Sequence, residues 1–153
     1  MIASLICSFF GTICFSVLFN VPKKFYIGCG ITGSMGWLCY YLLLAVTSST
    51  VATFAGTLLV VLMARILAVW LKCPITIFLV PGIFPLLPGT SVYYTAYHLV
   101  TENLSEAAHN GLEALKLAFA IVIAIVFVFS VPRELFQFSY WRKRRLKKQR
   151  IED

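Results

Sequence analysis

Acidic residues are scarce in this chain: six Asp and Glu among 153 residues, none at the centre of an apolar run. No membrane-embedded carboxylate is therefore at hand for proton coupling. Two histidines and no carboxylate cluster leave no visible metal site and no nucleophile–base motif. Spacing does not exclude a triad assembled by the fold, but nothing points to an enzyme, and no cofactor or metal is implied. The five cysteines, Cys7, Cys14, Cys29, Cys39 and Cys73, form no CxxC pair. Their odd number and mostly apolar surroundings argue against a disulfide framework; they read as reduced, small packing residues. Polar surface is the largest deficit. Charged residues make up 12% and hydrophobic residues 60% of the chain, with a mean hydropathy of +0.89. That composition describes an integral membrane protein.

A spanning helix takes roughly 20 apolar residues, and five stretches approach this, near 2–19, 26–46, 51–71, 75–100 and 112–131. The expected fold class is all-α: a polytopic membrane domain over 1–139 with about five transmembrane helices, then a basic tail at 140–153. The first stretch is not a secretory signal, since its positive charges, Lys23 and Lys24, follow the apolar run instead of preceding it. Seven of the thirteen basic residues lie between Arg142 and Arg150, with Arg133 just before them. The positive-inside rule puts that tail in the cytoplasm. Counting back through five crossings places Lys72, Lys23 and Lys24 inside and the N-terminus outside. A tail of this kind, directly after a membrane helix, suits anionic lipid headgroups rather than nucleic acid, and Tyr140 and Trp141 suit the bilayer interface.

The run Pro81-Gly82-Ile83-Phe84-Pro85-Leu86-Leu87-Pro88-Gly89 breaks the fourth stretch. Each proline lacks an N–H and clashes with the carbonyl four residues back, so Ile77, Pro81 and Phe84 would lose their helical donors. Non-helical backbone at membrane depth must be buried in protein or line a watery cavity, and many transporters hold cargo at such breaks. A kink used only for packing is the competing reading. As a true break, the run would separate an inner half-helix, Ile75–Val80, from an outer one starting near Thr90 or Ser91, both good cap residues. The outer half's N–H groups and positive dipole end would suit a carboxylate. Gly82 and Gly89 would supply positive φ. A re-entrant loop here would make the number of crossings even and put the N-terminus inside.

Ser91, Tyr94, Thr95 and His98 follow helical spacing and form either a polar path outward or an interfacial band. Gly30, Gly33 and Ser34 form a smooth strip for helix packing, against this chain or a partner. Arg65, the one charge well inside the first four spans, either snorkels to the inner headgroups or serves a polar pathway. Glu113 is placed to pair with Lys116; with His98, it is a candidate for a proton-linked role. Five helices are few for a carrier, and many carriers join two repeats around the site, which suggests that a partner supplies the other half.

Three segments in order carry a family resemblance: Phe19-Asn20-Val21-Pro22, the glycine-rich Gly30–Gly36, and Pro81–Gly89 followed by Tyr93 and Tyr94. Together they resemble the threonine/serine exporter family, in particular the small membrane subunit of its split form, over essentially the whole chain. The resemblance implies a larger partner subunit and proton-driven export of a small polar metabolite, threonine or serine, or dicarboxylates such as succinate. The implied setting is a bacterial cytoplasmic membrane. A non-transporting subunit that stabilises the partner is the alternative.

Overall fold

The computed structural model describes residues 2–130; the basic tail with Arg133, Tyr140 and Trp141 lies outside them. The described chain is helical, as a backbone in lipid must be when no sheet closes on itself. Its helices are α1 (Ile2–Leu18), α2 (Tyr26–Leu44), α3 (Ser49–Trp70), α4 (Thr76–Ile83), α5 (Gly89–Val100) and α6 (Leu104–Ser130). Helices α2, α3 and α6 are long and apolar enough to cross a membrane, α4 and α5 form a pair bent by 53°, and α1 is a shorter apolar helix.

Three helices end in the same way. Asn20, Lys72 and Glu102 have φ of 54°, 51° and 58° and stand just past the ends of α1, α3 and α5. In each case the next residue reaches five back: Val21 N–H to Ser16 at 3.0 Å, Cys73 to Ala68 at 3.1 Å, and Asn103 to His98 at 2.9 Å. These are left-handed caps that satisfy the last carbonyls of a helix. They explain part of the Phe19–Pro22 segment: Asn tolerates the left-handed conformation, and Val21 is buried beyond it.

Helices α1, α2, α3, α6 and α5 pack successively side by side, and α4 lies on α2 and α3 with an edge on α1. Phe78, Val60, Ala64 and Cys29 are fully buried at the centre. Close approach is the work of the glycines. A Cβ on Gly33 would stand 2.1 Å from Thr12 Oγ1, and one on Gly30 2.6 Å from the Phe9 ring, so both glycines seat α1. On another face of α2, a Cβ on Gly36 would stand 2.2 Å from Val60 of α3, and one on Gly56 3.0 Å from the Gly36 carbonyl. Ser34 is outside this seam's close contacts and donates to the Ile31 carbonyl.

One boundary differs from expectation. Helix α6 starts at Leu104 rather than near 112, because Asn103 caps it, its Oδ1 accepting from the Glu106 N–H at 3.4 Å. The direction of crossing separates the two readings of the proline run. Lys116 lines a groove with Thr50, Val51 and Phe54 near the start of α3, while Arg65 near the end of α3 bonds Val128 near the end of α6. Helices α3 and α6 therefore run parallel. A re-entrant α4–α5 would have made them antiparallel, so the bent pair carries the chain from one end of the bundle to the other.

Candidate functional site

The proline run is a true interruption. Helix α4 continues over Pro81 to Ile83, a 3₁₀ turn spans Phe84–Leu86, and Leu87 is extended, with φ −64° and ψ 140°. The residue before a proline is driven to that conformation, so Pro88 sets the break. Two expectations change. The inner half-helix is Thr76–Ile83, not Ile75–Val80, and no glycine among the described residues has positive φ. Gly82 serves close packing instead: a Cβ there would meet Thr32 and Val60, both at 3.1 Å.

The three carbonyls orphaned by proline all find donors. Phe84 N–H bonds the Pro81 carbonyl in the 3₁₀ pattern, and Leu87 N–H bonds Phe84 at 3.2 Å. For Ile77 the donor comes from another helix, the Cys29 thiol of α2 at 3.3 Å. The break is braced on three sides. Phe84 stacks on Phe15 of α1 at 4.0 Å and meets Phe19 in a tilted contact at 5.3 Å, while Leu86 reaches the Gly36–Gly56 crossing of α2 and α3. Protein covers the first part of the run, with Pro81, Gly82 and Leu86 buried, whereas Leu87 and Gly89 are exposed.

Helix α5 restarts at Gly89, with Pro88 at the cap position and no side-chain cap bond. Thr90 and Ser91 therefore sit in the first turn instead of capping it; Thr90 is exposed and Ser91 buried. Leu86 meets α3 at Gly56, two turns from Ser49, so the restart lies toward that end of the bundle rather than at its middle.

The four-residue polar face divides. Thr95 turns toward α6, where a Cβ on Gly111 would stand 3.4 Å from it, and its hydroxyl donates to the Ser91 carbonyl at 2.7 Å. His98 is half-buried, while Tyr94 is exposed and stacks on it at 6.3 Å. With Tyr93 and Tyr97, also exposed, these residues form a cluster of rings along α5. Glu113 and Lys116 form no ion pair: Glu113 is half-buried on α6, and Lys116 lines the groove with Phe54 and Phe119.

Arg65 does not snorkel. It is buried, and its Nη1 donates to the Val128 carbonyl in the last described turn of α6. In the sequence, Pro132 stands four residues on and has no N–H to offer that carbonyl.

Periodicity on α1 carries one feature that the sequence reading passed over. Ser8, Thr12 and Ser16, four apart, are all buried, and Ser8 Oγ donates to the Gly33 carbonyl at 3.4 Å. A hydroxyl every fourth residue, opposite a glycine strip on the next helix, was the available signal.

A cleft of about 400 Å³ lies at the lysine-bearing end, between the α1–α2 turn and the start of α4, with Pro81 in its wall. Among the described residues no group of His, Cys, Asp or Glu could hold a metal ion.

An all-helical bundle with a proline-broken span is the architecture of a polytopic membrane protein. Residues 4–131 match the family model for the threonine/serine exporter, ThrE, and the chain belongs to that family. No curated protein and no solved structure matches the chain.

Proposed function

We propose that this chain is the membrane subunit of a secondary exporter that moves threonine, serine or a related small carboxylic acid out of the cytoplasm with a larger partner subunit. The observation that carries this is the break between α4 and α5, which crosses the bundle and is braced by three helices. Pro81, Gly82, Pro85, Pro88 and Gly89 form the gate. Thr90, Ser91, Tyr94 and Thr95 meet the solute on the Ser49 side of the break, and Arg65 attracts anions at the opposite end. That lysine-bearing end faces the cytoplasm, and the N-terminus lies outside, in keeping with the positive-inside rule. Coupling to protons would fall to His98 and Glu113.

The test is efflux of labelled threonine, serine and succinate from cells making this chain, its partner or both. Efflux only with both is expected. Efflux from this chain alone would remove the half-carrier inference. Absence of efflux under all three conditions, with both proteins in the membrane, would count against the exporter reading for these solutes.

One observation favours the scaffold alternative. Among the described residues every buried side-chain polar atom already has a partner, and the Thr95 hydroxyl is committed within its own helix. Ser91→Ala and Thr95→Val separate the two readings: a scaffold keeps assembly and efflux, whereas a solute path keeps assembly and loses efflux.

A further inference from the structure

The cleft at the lysine-bearing end offers chemistry that the break itself does not. Its volume, about 400 Å³, falls in the range of small-molecule pockets. Two uncommitted polar side chains line it, Asn20 and Thr76. The hydroxyls of Thr12, Thr32, Thr53, Thr57 and Thr95 all donate to the carbonyl four residues back. Thr76, the first residue of α4, makes no such bond. Asn20 is held by its backbone, as the left-handed cap of α1, which leaves its amide free to donate and accept.

The charge around the cleft has one sign. Lys23 and Lys24 follow Asn20 directly, and Lys72 stands in the loop before α4; all three are exposed. The acidic residues of the described chain, Glu102, Glu106 and Glu113, lie on the α5–α6 hairpin toward the other end. A field of this kind concentrates anions and turns away cations. The cleft also touches the break. Pro81, the first proline of the run, forms part of its wall, and Phe19 in the same wall packs on Phe84 of the 3₁₀ turn.

We propose that this cleft is the entry site for a small carboxylate-bearing solute, with the Asn20 amide and the Thr76 hydroxyl hydrogen-bonding its carboxylate and the lysines supplying the attracting field. The inference rests on the exporter reading and names where that exporter first holds its cargo. An occupant would lie against Phe19 and Pro81, the residues that join the cleft to the gate.

The test uses proteoliposomes containing the full chain with its partner, or the chain alone if that suffices. Uptake of threonine, serine and succinate is measured from the side that carries Lys23, with three variants. Asn20→Gly keeps the left-handed cap and removes the amide. Thr76→Val removes the hydroxyl at nearly constant volume, and Thr76→Ser restores it. Asn20→Gly and Thr76→Val should each raise the half-saturating concentration about tenfold or more, as expected for lost hydrogen bonds to a charged group, with the limiting rate little changed. Thr76→Ser should recover most of that loss. Melting temperatures of the purified variants separate a binding effect from a folding one. Unchanged half-saturation in Asn20→Gly and Thr76→Val, or a Thr76→Ser variant no better than Thr76→Val, would overturn the cleft while leaving the exporter reading intact. Absence of transport of all three solutes by the unmodified protein would overturn both.

Discussion

The Cys29 thiol donates across 3.3 Å to the carbonyl of Ile77, the carbonyl of α4 whose i+4 donor Pro81 removes. Arg65 does the same for Val128, four residues before Pro132. In both places a proline four residues on has no N–H for the carbonyl, and a side chain from a neighbouring helix donates to it. Each contact fastens two helices and keeps a buried polar group satisfied, which in lipid is the stricter requirement.

Removing the thiol should therefore cost more than its volume suggests. Cys29→Ala withdraws that donor from the Ile77 carbonyl and should destabilise the protein by about 1–3 kcal/mol. Cys29→Ser retains a donor and should stay much closer to the original. Thermal unfolding of the two variants in detergent checks this, and equal losses would show that packing, not the hydrogen bond, matters at Cys29.

Arg65→Met keeps a long side chain but withdraws the donor from Val128. We expect a loss of about 1–3 kcal/mol from the orphaned carbonyl and weaker attachment of α6 to α3, read as faster proteolysis after Phe129. Arg65→Lys should fall between the two, since an ammonium can reach a carbonyl but lacks the guanidinium fork. A snorkelling arginine would instead tolerate Met well.

The α1–α2 seam should resist the smallest enlargement. Gly33→Ala places a methyl 2.1 Å from Thr12 Oγ1, an atom already bonded to the Ser8 carbonyl, so the helices must part. Overpacking of this kind costs about 1–3 kcal/mol. Gly89→Ala, where nothing lies within 4 Å, should be nearly silent. Melting temperatures of the pair measure the contrast.

Cys73 reports orientation. It lies in the loop between α3 and α4, where burial pushes its thiol above the ordinary value and Lys24 pulls it back only in part. Less thiolate is then present at neutral pH, so alkylation should be slow at pH 7 and quicken as pH rises past 9.0. With the proposed topology, a membrane-impermeant maleimide should label Cys73 in inverted vesicles and not in intact cells, with Cys73→Ser as the blank. The reverse pattern would invert the topology.

Much of the fold could be read from hydropathy because lipid permits few alternatives. The helices near 2–19 and 26–46, the break at Pro81–Gly89 and the packing role of Gly30 and Gly33 all follow from apolar length and local backbone chemistry. Boundaries set by a single side chain were harder to see. The Asn103 cap that starts α6 early and the Lys72 and Glu102 left-handed ends carry no glycine to mark them.

The chain's own residues determined that it is an all-helical membrane protein, where its helices run, and which carbonyls proline leaves without a partner. Those facts depend on neighbours within a turn or two. What closes each gap depends on residues 48 and 63 positions apart in sequence, and only the packed bundle brings them together. The same holds for the parallel course of α3 and α6, which makes the broken span a crossing, and for the cleft that joins Asn20 to Thr76. Hydropathy records how far a segment lies from water, whereas hydrogen-bond partners are decided by which helix faces meet.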